Sequence, residues 1–523
     1  MRISTTFEGD KVPRLTKWTY PATGIGRDML YTLVSLFLMI FIQYTLNDAS
    51  PGGYGPRYLA ITIIIIIYRL WDGINDPMLG RIIENTHWKM GKYKPWILIG
   101  AIGSAITLAL LFSILPLVDQ FGWWYVVVFG GLYLLWEITF TMNDIAYWSM
   151  LPSLSSDEKE RTQLTTLVSI GAALGAFIVG GLVPGLISGQ AIVAFRYIGF
   201  VVASVFLLSQ IILVFVCKER KRPEKELVAE KISMKEMFLV IWKNKQLWVM
   251  MVAITLYYLG GALLNGIGLN YFWFAFDYST GGMHMSTVIV AMAIGSLLGN
   301  VAYPFIYKYL KIIKTRDLSF LVLIAMNVGL FFTGFIPALT GDRPSVILMC
   351  VFVGLSNFAG SVFYMALLIM ITNTIEYNEW TTGERNESII YSARPFAAKI
   401  SSSIQQLVVY GVLIIGGVLA ITKTIAGLEV DMNKLMEMNL DPAVQEAEKL
   451  ILINQMNDAI LSAPNIMTAR IALISGMTVL PIILYVIAFI YIKRSYHIDE
   501  AVYEKMRADI EAGDVGPHHK FNK

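Results

Sequence analysis

Twelve stretches of roughly twenty predominantly apolar residues, parted by short polar segments, constrain this chain more than any other feature. They run over 24–44, 59–83, 96–117, 123–150, 164–187 and 192–216, then over 248–274, 287–309, 319–336, 346–374, 389–421 and 471–492. A run of that length crosses a bilayer as a helix, because backbone in hydrocarbon must satisfy its own hydrogen bonds. Composition agrees: 56% of the 523 residues are hydrophobic, 15% are charged and mean hydropathy is +0.60. A soluble domain carries about 25% charged residues, and a soluble reading would need a core larger than one domain builds. The expected fold is therefore an all-α membrane protein with twelve transmembrane helices in two six-helix bundles, 1–217 and 247–494. A basic linker, 218–246, joins the bundles, and a tail, 495–523, follows.

Orientation follows from Lys and Arg in the short loops. Arg2, Lys11, Arg14 and Lys17 precede the first run, and Lys89, Lys92 and Lys94 lie between the second and third. The linker carries Lys218, Arg220, Lys221, Arg222, Lys225, Lys231 and Lys235, and Lys311, Lys314 and Arg316 follow the eighth run. In the alternate loops Arg57, Arg196 and Arg343 stand almost alone. Both termini and the linker are expected in the cytoplasm of a plasma membrane, as in a bacterial inner membrane. The polar N-terminal stretch has no apolar segment with a small-residue cleavage site, so no cleaved signal peptide is expected. Cys217 and Cys350 sit in or beside apolar runs and suggest no disulfide. Residues 422–464 form a long external segment of mixed charge, in which LMEMNLDPAVQEAEKLILINQMNDAI reads as one surface helix. This reads as a tolerated loop insertion; an external lid is the sharper alternative.

The informative residues are charges inside apolar runs, each costing about 2.5–3.5 kcal/mol at a helix centre on insertion scales. In RLWDGINDP, Asp72 and Asp76 are one turn apart on one face. Two such carboxylates repel unless a cation or proton lies between them, and Asn75 can add the neutral oxygen that a hard cation favours. A structural ion-pair cluster with Arg69 is the alternative. In ITFTMNDIAYWSM, Asp144 stands one turn before Trp148, with Thr141 nearby. An acid beside an indole suits a sugar, whose hydroxyls meet the carboxylate while its C–H face stacks on the ring. Trp148 can also be read as an interfacial belt residue. Arg27 and Asp28 lie in or at the end of the first run. Arg394 and Lys399 belong to the eleventh run, Lys399 near its middle. No Walker A motif, zinc-ligand cluster or nucleophile elbow is present, and GGYG at 52–55 lacks a following phosphate-binding helix, so no enzyme is expected.

A weak internal repeat pairs Glu160-Arg161 with Glu384-Arg385, each after the fourth span of its half. Parallel repeats of this kind mark major-facilitator halves. RLWDGINDPMLGRIIENTHWKMGKYKPWILIG, TFTMNDIAYWSMLPSLSSDEKERTQL and TNTIEYNEWTTGERNESIIYSARPFAAKI resemble segments of the melibiose permease family, the glycoside–pentoside–hexuronide:cation symporters of the major facilitator superfamily. The likeness spans 19–494 apart from the insertion. It implies a coupling-cation site for Na⁺, or a proton, at Asp72 and Asp76, with Asn75 and Thr141 as further ligands. It implies a sugar site of Asp28, with Arg27 beside it, Asp144, Trp148, Lys399 and the aromatic Tyr364, to which Arg394 is added; the favoured alternative for Arg394 is a gate residue that snorkels to the cytoplasmic edge and pairs with Glu387 or another acid. Asp157, Arg161 and Arg385 match a cytoplasmic gate network. Two departures stand out. Ser169 replaces a fifth-helix arginine, and Arg394 replaces a neutral polar residue, which leaves room for a uronide or an oligosaccharide.

The resemblance implies cation-coupled glycoside symport by alternating access, with a hexuronide symporter as the alternative. No cofactor beyond the coupling ion and no nucleic-acid partner is expected, and a monomer in the bilayer suffices. A lipid or lysolipid transporter would need few hydroxyl-binding acids, and a non-transporting sensor would need no intact acidic pair; Asp28, Asp144, Asp72 and Asp76 weigh against both.

Overall fold

In the computed structural model, residues 6–7, 12–84, 86, 88, 90–155, 158–220, 240 and 242–516 are described. The apolar runs are helices. α1 (Arg14–Thr45), α2 (Tyr54–Glu84), α3 (Lys94–Val118), α4 (Trp123–Ser153), α5 (Glu158–Ile187) and α6 (Ala191–Val216) make the first half. α7 (Lys245–Ala275), α8 (278–310), α9 (312–340), α10 (Val346–Thr382) and α11 (Glu387–Ile415) follow. α12 (Val418–Glu437) and α13 (Pro442–Leu461) precede α14 (Ile466–Ser495), and α15 (Glu500–Glu511) ends the described chain. α8 and α9 run on without a loop; only Lys311, with φ 54°, breaks the helical path between them. Among the described residues ten stretches are long and apolar enough to cross a membrane, one of them spanning both α8 and α9, and α2 brings the number of spanning helices to twelve. A two-residue parallel pairing joins Thr6–Phe7 to Glu219–Arg220.

Several expected boundaries move. The first helix starts at Arg14, not near Gly24, so Arg27 and Asp28 lie about 20 Å along it and well inside the helix. The eleventh span stops at Ile415, where Gly416 and a left-handed Gly417 (φ 64°) turn the chain. The segment expected as one surface helix is two. Asp441 accepts from the Ala443 N–H and Pro442 opens a fresh helix, since proline cannot continue the previous one. A helix also does follow the Gly-rich turn at 52–53, contrary to the sequence reading. Its Tyr54 N–H is already taken by the Asp48 carboxylate at 2.9 Å, so a capping acid stands where a phosphate would need to be.

The chain folds as two compact units. The first comprises 1–229, the hairpin 272–286 and the insertion 417–466; the second comprises 230–271, 287–416 and 467–523. Within the first, helices meet through small residues. A Cβ at Gly171 would sit 2.6 Å from the Pro21 carbonyl oxygen, and one at Gly100 would sit 2.6 Å from the Asn143 nitrogen, so α1–α5 and α3–α4 touch backbone to backbone. A buried amide chain crosses this bundle. The Asn143 amide donates to the Ile97 carbonyl (2.9 Å) and the Gln210 side chain (3.3 Å), and Gln210 donates to the Thr23 carbonyl (3.2 Å). The second unit has its own core, in which Phe320 and Phe489 stack at 3.9 Å. Both cysteines are free.

The insertion is anchored at one end of the first unit. Lys423 pairs with Asp48 (2.8 Å), Glu429 takes the Ala191 N–H (2.7 Å), and Asn457 takes the Ser279 N–H (3.1 Å). Asp48, Ala191 and Ser279 lie at the connections between spans one and two, five and six, and seven and eight. These connections alternate in sidedness with the chain's N-terminus, so the insertion's partners all come from one membrane face.

Candidate substrate and cation sites

In the first unit the centre of the polar constellation is Arg27. Its side chain is 4% exposed and its guanidinium reaches two acids, Asp28 (2.8 Å) and Asp144 (2.9 Å). The acids are more open, at 18% and 39%. A buried cation thus holds two carboxylates that each keep part of their surface exposed, an arrangement compatible with a polyhydroxyl ligand. Aromatic rings hold the guanidinium in turn: it lies 4.6 Å from the Tyr147 ring centroid and 4.8 Å from that of Trp148. Tyr147 is fixed by stacking on Tyr20 at 4.6 Å and by a hydrogen bond to the Tyr20 carbonyl, which the Tyr20 hydroxyl reciprocates. Trp148 is therefore a wall of the arginine site, and its partly exposed ring is still open to a ligand.

The acidic helix stands beside this site. The Thr141 hydroxyl donates to Asp72 Oδ1 at 3.0 Å, tying α2 to α4. Asn75 is buried and its amide nitrogen has no hydrogen-bond partner among the described residues. Asp76, one turn from Asp72, is partly exposed. Arg69, the alternative partner for the acids, hydrogen-bonds Tyr133 and feels Glu137 of α4. Among the described residues no group of three or more His, Cys, Asp or Glu side chains is placed to hold a metal. A cation here would rest on two carboxylates and neutral oxygens, a donor set suited to a monovalent hard ion. Thr141 and Asp144 are three residues apart on α4, so the Asp72 and Arg27 contacts are separated by about 4.5 Å of helix rise.

The second unit holds the other predicted ligand residues. Tyr364 and Tyr258 share a hydroxyl–hydroxyl hydrogen bond of 2.6 Å. Arg394 donates from Nε to the Tyr258 hydroxyl (3.3 Å), and its guanidinium lies 5.9 Å from the Tyr364 ring. Arg394 is thus grouped with Tyr364, the aromatic that the resemblance implies for the pocket, while the Glu387 side chain, its partner in the gate reading, lies outside the described residues. Lys399 is half-buried five residues further along α11. Tyr258 went unnoticed in the sequence; the signal was a tyrosine pair, Tyr257-Tyr258, in mid-span. Ser169 is exposed and its hydroxyl donates to the Thr165 carbonyl of its own helix. Of the residues expected in a gate network, Arg385 pairs with Glu379 (2.8 Å) and Glu376 (3.3 Å), and the Arg161 carbonyl accepts from the Thr165 hydroxyl. Asp157 lies outside the described residues. Glu160, the neighbour of Arg161, accepts from the Val12 N–H (3.1 Å) and Ser155 (2.9 Å).

Twelve long helices among the described residues, with acids held by a buried arginine, make the architecture of a major facilitator fold. The family model for MFS/sugar transport proteins matches residues 20–438, and the chain belongs to that family. It is 28% identical over 407 residues to a lactose permease of Leuconostoc lactis and 28% over 402 residues to a raffinose carrier protein of Pediococcus pentosaceus, each alignment covering 75% of this chain. In both cases 61% of the relative is covered, so the chain spans about three-fifths of their length. An isoprimeverose transporter of Lactiplantibacillus pentosus is 25% identical over 420 residues, covering 78% of this chain and 82% of the relative. Among solved structures, a bacterial homologue of the human lysosomal transporter Spinster superposes with TM-score 0.57 at 14% identity, covering 95% of this chain and 96% of that one. The nucleoside transporter NupG gives TM-score 0.52 at 15% identity, covering 86% and 98%. At these identities the structures share the fold alone.

Proposed function

We propose that the chain is a secondary transporter that carries a glycoside or oligosaccharide together with a monovalent cation, Na⁺ in preference to H⁺, with its termini in the cytoplasm. The observation that carries this reading is the single turn of α4 shared by two contacts: Thr141 on Asp72 and Asp144 on Arg27. A cation between Asp72 and Asp76 draws on oxygens from α2 and α4, and so orients the turn that presents Asp144. Sugar bound at Asp28 and Asp144 favours the same orientation. The free energy linking the two ligands is reciprocal, so each tightens the other. Sodium is favoured because Asn75 and Thr141 supply neutral oxygens that a proton does not require. The names of the relatives, lactose permease, raffinose carrier and isoprimeverose transporter, support a di- or trisaccharide in place of a monosaccharide.

The test is uptake of labelled lactose, raffinose and isoprimeverose into proteoliposomes, with an imposed Na⁺ gradient, an imposed H⁺ gradient, or neither. Gradient-driven accumulation of at least one sugar is expected. Equal accumulation under all three conditions refutes coupling. No uptake of any glycoside, neutral or uronic, refutes the substrate class.

A second reading, a hexuronide symporter, is favoured by Arg394. Its guanidinium, grouped with Tyr258 and Tyr364, can hold a uronate by a two-pronged pair.

A further inference from the structure

The second unit contains a cavity of about 570 Å³ where the start of α7 meets the end of α14. Chain topology puts it on the membrane face from which the C-terminal tail emerges. Two permanent cations line it, Lys245 in the first turn of α7 and Arg494 in the last turn of α14, with the His497 imidazole beside them. Among the described residues none that lines it is acidic. The floor is built, not incidental. The Gln246 amide donates to the Ser495 carbonyl (3.3 Å) and its oxygen accepts the His497 N–H (2.9 Å), locking the two helix ends together. Below it, Tyr377 packs with Trp380, Ile498 and Met506, which docks α15 under the same corner.

The cavity also has an apolar wall. Trp242 and Trp248 are 73% and 42% exposed, with ring centroids 5.6 Å apart. Indoles at the end of a spanning helix mark the headgroup level of a bilayer. Exposed indoles next to a cavity with two fixed positive charges suit a ligand that is anionic at one end and apolar at the other. A free phosphate would use the cations and leave the indoles idle. The volume lies within the range of small-molecule pockets and exceeds what a bare oxyanion fills.

We propose that this cavity binds the phosphodiester headgroup of an anionic phospholipid from the surrounding leaflet, with Lys245 and Arg494 on the phosphate and the indoles along the upper acyl chains. Basic pockets between helices on the cytoplasmic side of a membrane are suited to such headgroups. The bound lipid pins the start of α7 to the end of α14, the contact that Gln246 makes through protein alone.

The experiment is native mass spectrometry of the purified full chain, titrated with dioleoyl phosphatidylglycerol or dioleoyl phosphatidylcholine, for the wild type and the double variant Lys245→Gln/Arg494→Gln. Wild type is expected to retain phosphatidylglycerol at least tenfold more than the variant, while phosphatidylcholine is retained equally and weakly by both. Equal phosphatidylglycerol retention by wild type and variant overturns the proposal. Inorganic phosphate is the third arm: full displacement of the lipid by millimolar phosphate would make this a soluble-anion site and overturn the lipid assignment. Should the variant not fold, a photoactivatable phosphatidylglycerol is crosslinked to wild type. Label in peptides holding 242–249 or 491–497 supports the site, and label exclusively elsewhere refutes it.

Discussion

Glu429 → Gln is the most informative single change outside the membrane-spanning helices. Glu429 is fully buried on α12, its two oxygens taking the Ala191 N–H (2.7 Å) and the Tyr278 hydroxyl (2.9 Å). Burial pushes its carboxyl up to about 8 from an ordinary 4.5, against the opposing pull of those two hydrogen bonds. Between those values the docked insertion binds more protons than the undocked one. Docking is therefore strongest at low pH and weakens as pH rises through the window, ceasing to change above it. At about 1.4 kcal/mol per tenfold change in proton concentration, the whole window is worth about 3–5 kcal/mol. Glutamine mimics the protonated acid. Its carbonyl accepts from Ala191, its amide donates to the Tyr278 oxygen, and it does not titrate. The assay is tryptic cleavage after Lys434 and Lys449 in the intact protein, taken as the wild-type to variant rate ratio so that the protease's own pH dependence cancels. That ratio should climb at least tenfold between about pH 5 and about pH 8.5. A ratio that stays level or falls refutes the buried-carboxyl argument.

The other predictions concern the transport sites. Asp76→Cys should abolish gradient-driven accumulation while leaving sugar exchange measurable; unchanged concentrative uptake would remove the acidic pair from coupling. Asp28→Ala and Asp144→Ala should each weaken sugar binding by roughly ten- to a hundredfold, the worth of about 1.5–3 kcal/mol for a hydrogen bond to a charged group, with Na⁺ binding largely kept in calorimetry. Arg27→Gln should cost about 2–3 kcal/mol in unfolding midpoint assays, because it strands two carboxylates, one of them partly screened by solvent; full sugar affinity in that variant would show that the acids need no buried cation. Arg394→Gln should lower the affinity for a uronide more than for the matching glycoside, and equal effects in a competition assay would refute a carboxylate clamp.

Hydropathy made most of the fold legible, since nothing but helices can follow such runs through lipid. It failed where local chemistry overrode the pattern. α1 begins ten residues before its expected start because RLTKWTYPAT, polar in the first half, still packs as helix with Thr16, Tyr20 and Thr23 buried. The insertion's single expected helix broke at Asp441-Pro442, a cap and first-turn pair visible in the sequence but outvoted there by amphipathic spacing. Its anchoring was not legible at all. Glu429 looks like one more acid on a mixed-charge helix, and its partners Ala191 and Tyr278 are 238 and 151 residues away in sequence.

The site was legible as a set of charges and illegible as a hierarchy. Asp28, Asp72, Asp76 and Asp144 announce themselves because a carboxylate in an apolar run demands a reason. The sequence cannot say which cation answers which acid. Ser169 stands where the resemblance expects a fifth-helix arginine. Arg27 shows that this half keeps a guanidinium of its own, more deeply buried than either acid it holds. A cation in that position compensates the acids without burying them: one guanidinium holds two carboxylates that stay 18% and 39% exposed. On the proposed reading Arg27 offsets part of the charge of the two candidate sugar acids. A neutral sugar meets no electrostatic penalty there, whereas a uronate is repelled unless its carboxylate is held elsewhere. Within the second unit Arg394 is grouped with Tyr258 and Tyr364, and on the proposed transport reading its removal is the change that tests whether the substrate is a glycoside or a uronide.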